Sequence, residues 1–160
     1  MEPSEISFAF IKMGSPIGEG HFSLVHKGTY TPSAGQAPIC VAIKELKDTG
    51  GERALMMEAR NMSQLDHSHI VKFYGFCRPD HRLMLVTEFV QGGDLLHLLR
   101  RSSSVGRVMT LATQLRYSSQ VANGMSYLVR WPSLSACSVA CCSALTWVWW
   151  WVWPEVLLSW

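Results

Sequence analysis

Short apolar runs separated by turn-forming clusters fill the first ninety residues, and two longer stretches after them carry apolar residues at helical spacing. Phe8-Ala-Phe-Ile-Lys-Met13 reads as a strand, Gly18 to Ser23 as a turn, and Leu24 to Tyr30 as the returning strand of a hairpin. Thr31-Pro-Ser-Ala-Gly-Gln-Ala-Pro38 is turn chemistry and predicts an exposed loop. Ile39 to Leu46 is rich in β-branched residues and predicts a buried strand, ended by Gly50-Gly51. A helix is predicted from about Glu52 to Asp66, with Leu55, Ala59, Met62 and Leu65 on one stripe. Glu58 falls on that same stripe, and an acid that faces inward calls for a cationic partner. Ile70–Phe76 and Leu83–Val90 read as two more strands around the turn Arg78–His81. Asp94, after Gly92-Gly93, is placed to cap a short helix reaching about Arg101, and Ser102–Gly106 reads as a loop. The last predicted helix, Thr110 to Leu128, lines up Leu111, Leu115, Ala122, Met125 and Leu128.

This pattern breaks near Leu128. All seven tryptophans lie in residues 131–160, which hold a single charged residue, Glu155. The reading is a folded segment over 8–128 and an unrelated Trp-rich apolar tail over 129–160, unstructured or of non-native origin. Val129-Arg130 can be encoded by GTG-AGG, which resembles a splice donor, so the tail reads as translated non-coding sequence. The rival reading is a membrane anchor: Trp131 to Pro154 is uncharged over 24 residues, where about 20 suffice to span a bilayer. Against it stand Ser133, Ser135, Ser138, Ser143 and Thr146, and tryptophans massed in one place.

Net charge adds little: +2, with no basic cluster, gives no nucleic-acid partner. The acidic start, Met1-Glu-Pro-Ser-Glu, is neither a secretory signal nor a transit peptide, which predicts a cytoplasmic protein. The five cysteines, Cys40, Cys77, Cys137, Cys141 and Cys142, then read as reduced thiols. His67 and His69 lack a third ligand nearby, and Cys137, Cys141 and Cys142 lack partner histidines, so no metal site is assigned. Arg100-Arg-Ser-Ser-Ser reads as a solvated loop rather than a modification site.

Chemistry concentrates between Ile17 and Lys44. Gly18 and Gly20 let the backbone approach a bound group with no Cβ in the way. Lys44 closes an apolar strand and delivers one positive charge to a fixed point. A dinucleotide-binding loop would run straight into a helix, but Gly28, Thr29-Tyr30 and Pro32 do not make one, and no Gly-x-x-x-x-Gly-Lys-[Ser/Thr] is present.

Ile17-Gly-Glu-Gly-His-Phe-Ser-Leu-Val25 with Val41-Ala-Ile-Lys44 resembles the opening of a protein kinase domain. Glu58 matches the helix glutamate that pairs with that lysine. Leu65 to Gly75 is similar to the segment that follows this helix in kinases. Val86 to Leu95 resembles the hinge between lobes, and Gln120 to Leu128 the helix before the catalytic loop. The wording is most like that of cytoplasmic tyrosine kinases. The resemblance implies an α+β fold: a small lobe of twisted antiparallel sheet plus one helix, followed by only the first helices of the large lobe. It implies ATP as ligand, a protein hydroxyl, tyrosine foremost, as phosphoryl acceptor, and magnesium in the full domain. The turn Gly18, Glu19, Gly20, His21, Phe22, Ser23 would cover the phosphates. Val25 and Ala42 would flank the adenine, and Ile17 would belong to the same nucleotide site. Lys44 would contact the α- and β-phosphates, held by Glu58. Thr87 would guard the back of the pocket, backbone groups of Glu88 and Val90 would meet the adenine edge, and Asp94 would reach the ribose. The family's His-Arg-Asp and Asp-Phe-Gly motifs, which supply the base and the magnesium ligands, do not occur in the 160 residues. The expectation is therefore a chain cut before its catalytic loop and inactive as it stands. The alternative is a non-catalytic short form that binds nucleotide or a partner, anchored to a membrane by its tail.

Overall fold

Ile39, Val41 and Ile43 commit one segment to the middle of a sheet, and its neighbours pair on both sides. A computed structural model describes residues 2–130 apart from His21, Phe22, Ala34, Asp48, Asp94 and residues 105–108. Five strands, β1 (Ile11–Glu19), β2 (Ser23–Tyr30), β3 (Ile39–Leu46), β4 (Phe73–Cys77) and β5 (Met84–Glu88), form one antiparallel sheet in the order β1-β2-β3-β5-β4. One long helix, α1 (Glu52–Met62), lies between β3 and β4 in the chain. Glu52 in its first turn and Arg60 in its last suit the helix dipole.

The chain divides into two compact units. The first holds Met1–Leu65 and Lys72–Phe89, that is, the sheet and α1. Its register sorts side chains by face, because directly opposed residues project to the same side. Ile43 opposes Val86, and Val41 opposes Glu88; this side carries the core formed by Ile6, Ile11, Val41, Ile43, Cys77, Met84 and Val86. Lys44 opposes Val25 and Leu85, and Ala42 opposes Lys27 and Thr87 on the other side. Leu55, Ala59 and Met62 of α1 are buried, together with Glu58.

The second unit holds Asp66–Val71 and the chain from Val90 on, with α2 (Leu95–Ser104) and α3 (Leu111–Val129). Thr110 caps α3 by accepting a hydrogen bond from the Thr113 amide at 3.3 Å. Leu95 and Tyr117 are buried against each other, with Leu98, Met109 and Val121 around them.

Several elements differ from the pattern-based reading. Phe8–Phe10 form an exposed 3-10 turn rather than the start of a strand; β1 begins at Ile11 and runs to Glu19. The first helix stops at Met62, where the Ser63 amide bonds Ala59 O, so Leu65 and Asp66 are not helical. The strand expected from Ile70 begins at Phe73, and that expected from Leu83 to Val90 spans Met84–Glu88. Ser102–Ser104 continue α2 instead of forming a loop. The predicted face of α3 is only partly the buried one. Leu111 and Leu115 are 70% and 61% exposed, and Ala122 is also exposed, whereas Tyr117, Gly124 and Leu128 are buried. The helix has two apolar stripes, and the neighbouring elements cover the aromatic one. The tail read over 129–160 falls, from residue 131, outside the described residues.

Candidate functional site

The open face of the sheet is built from alternate residues of β3. Because Val41 and Ile43 turn into the core, Ala42 and Lys44 must turn the other way. Lys44 Nζ donates to both carboxylate oxygens of Glu58 at 2.9 Å. The Glu58 side chain is 7% exposed and that of Lys44 22%. Glu58 is the one buried charged residue among those described. A carboxylate at that depth needs a cation, and α1 delivers it there because position 58 falls on the helix's buried stripe.

Glycine keeps the same face clear. Gly18 opposes Val25, which opposes Lys44. A Cβ built on Gly18 meets only Val25 Cβ, at 3.9 Å, so any larger side chain there would stand over the row that ends in Lys44. Gly20 N–H donates to Ser23 O at 2.8 Å and closes the turn, while His21 and Phe22 lie outside the described residues. Ile17 on β1 is 47% exposed. Glu19 meets the ammonium of Lys47, which holds its carboxyl below the usual carboxylate range through a hydrogen bond and the Lys47 charge. Lys47 was not legible as a neighbour of the turn, since only the β1-β2-β3 register brings it there.

At the other end of the face, Thr87 opposes Ala42, with Thr87 Oγ1 3.5 Å from Ala42 O, the limit of a hydrogen bond. The Glu88 amide donates to Lys72 O at 2.8 Å. Of the two Glu88 backbone groups, therefore, only the carbonyl could serve a ligand. Lys27 places its ammonium 4.6 Å from the centre of the Phe89 ring, a cation–π contact that sequence reasoning did not single out. Gly18, Val25, Ala42, Lys44, Glu58 and Thr87 thus fall within one unit, around one face. Val90 belongs to the second unit, and Asp94 lies outside the described residues.

His67 has its ring nitrogens engaged within the second unit. Its Nε2 lies 3.2 Å from Asn123 Oδ1, and its Nδ1 accepts from the His69 amide at 3.1 Å. The ring stacks on Tyr127 at 4.9 Å, and the Tyr127 hydroxyl accepts from the Asp66 amide at 3.2 Å. Among the described residues no three His, Cys, Asp or Glu side chains group as metal ligands, and no helix is long and apolar enough to cross a membrane.

Comparison with known proteins bears on the whole arrangement. The profile of the family described as "Protein tyrosine and serine/threonine kinase" matches residues 11–134. The chain is 36% identical over 127 residues to Ephrin type-B receptor 1 of Gallus gallus, covering 78% of this chain and 12% of that protein. It is 37% identical over 131 residues to Tyrosine-protein kinase TXK of Homo sapiens, covering 81% of this chain and 22% of the relative. Probable serine/threonine-protein kinase PBL17 of Arabidopsis thaliana is 36% identical over 117 residues, 70% of this chain and 26% of its own length. The chain thus spans between about an eighth and a quarter of these relatives. The five-stranded antiparallel sheet with its helix is the small-lobe architecture of this fold, and the chain belongs to the protein kinase family.

Proposed function

We propose that the open face of the sheet binds ATP and that this chain is the ATP-binding portion of a protein kinase domain. The observation that carries the reading is the bidentate Lys44–Glu58 pair beside a strand row cleared by Gly18. The residues fit a nucleotide. Apolar Val25 and Ala42 share the face with Lys44, whose ammonium is held by Glu58 at one end, and a small hydroxyl residue, Thr87, stands at the other. In this arrangement Lys44 bonds the α- and β-phosphates while Glu58 fixes the ammonium, and amides of the Gly18–Ser23 turn cover the phosphate chain. The Glu88 carbonyl would meet the adenine edge.

The family reaction is transfer of the γ-phosphoryl group to a protein hydroxyl, and magnesium would supply charge neutralisation on the phosphates. The name of the relative Tyrosine-protein kinase TXK supports tyrosine as acceptor, and the serine/threonine relative marks the competing outcome. No His-Arg-Asp or Asp-Phe-Gly motif occurs in the 160 residues, so the base and the magnesium ligands have no counterpart here. The 160-residue polypeptide should bind nucleotide without transferring phosphate.

Titration of the purified chain with ADP tests this reading. Saturable binding that Lys44→Met weakens at least tenfold supports it; binding indifferent to Lys44 overturns it. Phosphotransfer by the purified chain that disappears in Lys44→Met would overturn the inactivity.

A further inference from the structure

We propose that residues Glu2–Ile6 act as a strap that fixes α1 on the sheet, and that Gly75, Arg78 and Glu52 are positioning residues for the Lys44–Glu58 pair. β4 is an edge strand, and an edge leaves main-chain groups open to further pairing. The strap takes that edge. Glu5 bridges Phe76 in parallel, the Phe76 amide donates to Ser4 O at 3.0 Å, and the Ile6 amide donates to Phe76 O at 2.7 Å. Ile6 enters the core with Val41, Ile43, Cys77, Met84 and Val86 and is 7% exposed. This close approach depends on Gly75. A Cβ there would lie 2.5 Å from Ser4 O and 2.9 Å from the Ile6 side chain.

The same few residues hold α1 at both ends. Arg78 Nη1, one residue beyond β4, lies 3.0 Å from a carboxylate oxygen of Glu52, the first residue of the helix. Glu2 of the strap lies 3.8 Å from Arg60 in the helix's last turn. Strap, β4 and α1 therefore form a closed ring of contacts, and Glu58 sits between the two ion pairs. The chain enters α1 through Gly50-Gly51, and the Gly51 N-cap supplies no side-chain bond. The helix's apolar stripe is non-directional and tolerates small rotations, whereas a bidentate bond at 2.9 Å does not.

The link to nucleotide rests on the proposed function; the positioning of α1 does not, and hydrogen exchange reads it directly. In the full chain, Gly75→Ala should speed exchange of the Phe76 amide, by displacing the strap, and of the α1 amides from Leu55 to Met62 by about tenfold. Because that variant risks the fold, Arg78→Glu and Glu52→Arg provide a second route through exposed residues. Each alone should speed α1 exchange about threefold, as a partly exposed ion pair allows, and the double exchange Glu52→Arg/Arg78→Glu should restore it. Faster Phe76 exchange with unchanged α1 exchange would reduce the strap to an edge cover and overturn the proposal. Failure of the charge exchange to restore α1 would remove Arg78 and Glu52 from it. ADP affinity should follow α1 exchange across the series. If Lys44→Met leaves ADP binding unaltered, the nucleotide reading fails while α1 exchange still decides the strap.

Discussion

On β3, Val41 and Ile43 are wholly buried, while their neighbours Ala42 and Lys44 are half-buried on the opposite side of the sheet. The first side is sealed by the protein itself, with Ile6 of the N-terminal segment and Ile11 of β1 packed on it. The second side carries no side chain at Gly18 and is organised around the Lys44–Glu58 ion pair. One strand thus serves two purposes. Odd positions supply apolar burial, which is non-directional and stabilises the fold, and even positions supply a directed charge and the face proposed to bind nucleotide. Stability and binding should accordingly separate by residue parity along β3.

Ile43→Ala tests the sealed side most severely. Removing a fully buried isoleucine should cost about 3 kcal/mol of unfolding free energy in urea, with little change in ADP affinity of the folded protein. A comparable loss of affinity would merge the two sides into one. Lys44→Met probes the open side. ADP binding should weaken at least tenfold, and stability should fall by about 2 kcal/mol, because Glu58 stays deep in the protein without its Lys44 partner.

Cys77 extends the contrast to pH. It lies in the sealed core with no exposure, and burial, aided by the nearby Glu5 charge, pushes its thiol up to about 11 from an ordinary 9.0. The unfolded chain then loses this proton at lower pH than the folded one. The contribution is complete below about pH 9 and is lost as pH rises toward 11. Stability should decline over that window by up to about 1.4 kcal/mol per pH unit, and Cys77→Val should flatten the decline. Exposed Cys40, opposite Thr29 on the sheet, should react with iodoacetamide while Cys77 resists until the chain unfolds. Gly18→Val is the gentlest variant. Its Cβ has room, so unfolding free energy should stay within about 0.5 kcal/mol. Its branches would cover the open side, so ADP should bind about fivefold more weakly. Undiminished binding would show that the nucleotide avoids this row.

Helix α1 and the inward place of Glu58 were legible in the chain because both depend on local spacing, while the resemblance to kinases named Lys44 as the partner. An acid among Leu55, Ala59 and Met62 has one way to be accommodated, and Lys44 is fixed by the alternation of its strand. The α3 helix shows where that logic stops. Leu111 and Leu115 make the more apolar stripe by composition, yet the covered stripe is Tyr117, Gly124 and Leu128. Periodicity says that a stripe exists, but it does not say which stripe meets a partner. Phe8–Phe10 is a similar case: an apolar run that reads as strand forms an exposed turn, because the chain must bend there between the Glu5–Phe76 bridge and β1.

The sequence by itself determined the succession of strands and helices, the face of α1 that is buried, the charge partner that Glu58 requires, and the resemblance to kinases. The first three follow from the period of side chains along a backbone and from the cost of burying a charge, and the resemblance follows from the motifs themselves. Tertiary structure alone decided the face of α3 that is covered, the meeting of Glu19 with Lys47, and the passage of Ser4–Ile6 along the β4 edge through the gap at Gly75. The physical reason is that burial and pairing are properties of two surfaces. A single stretch of sequence specifies one of them, and the fold supplies the other.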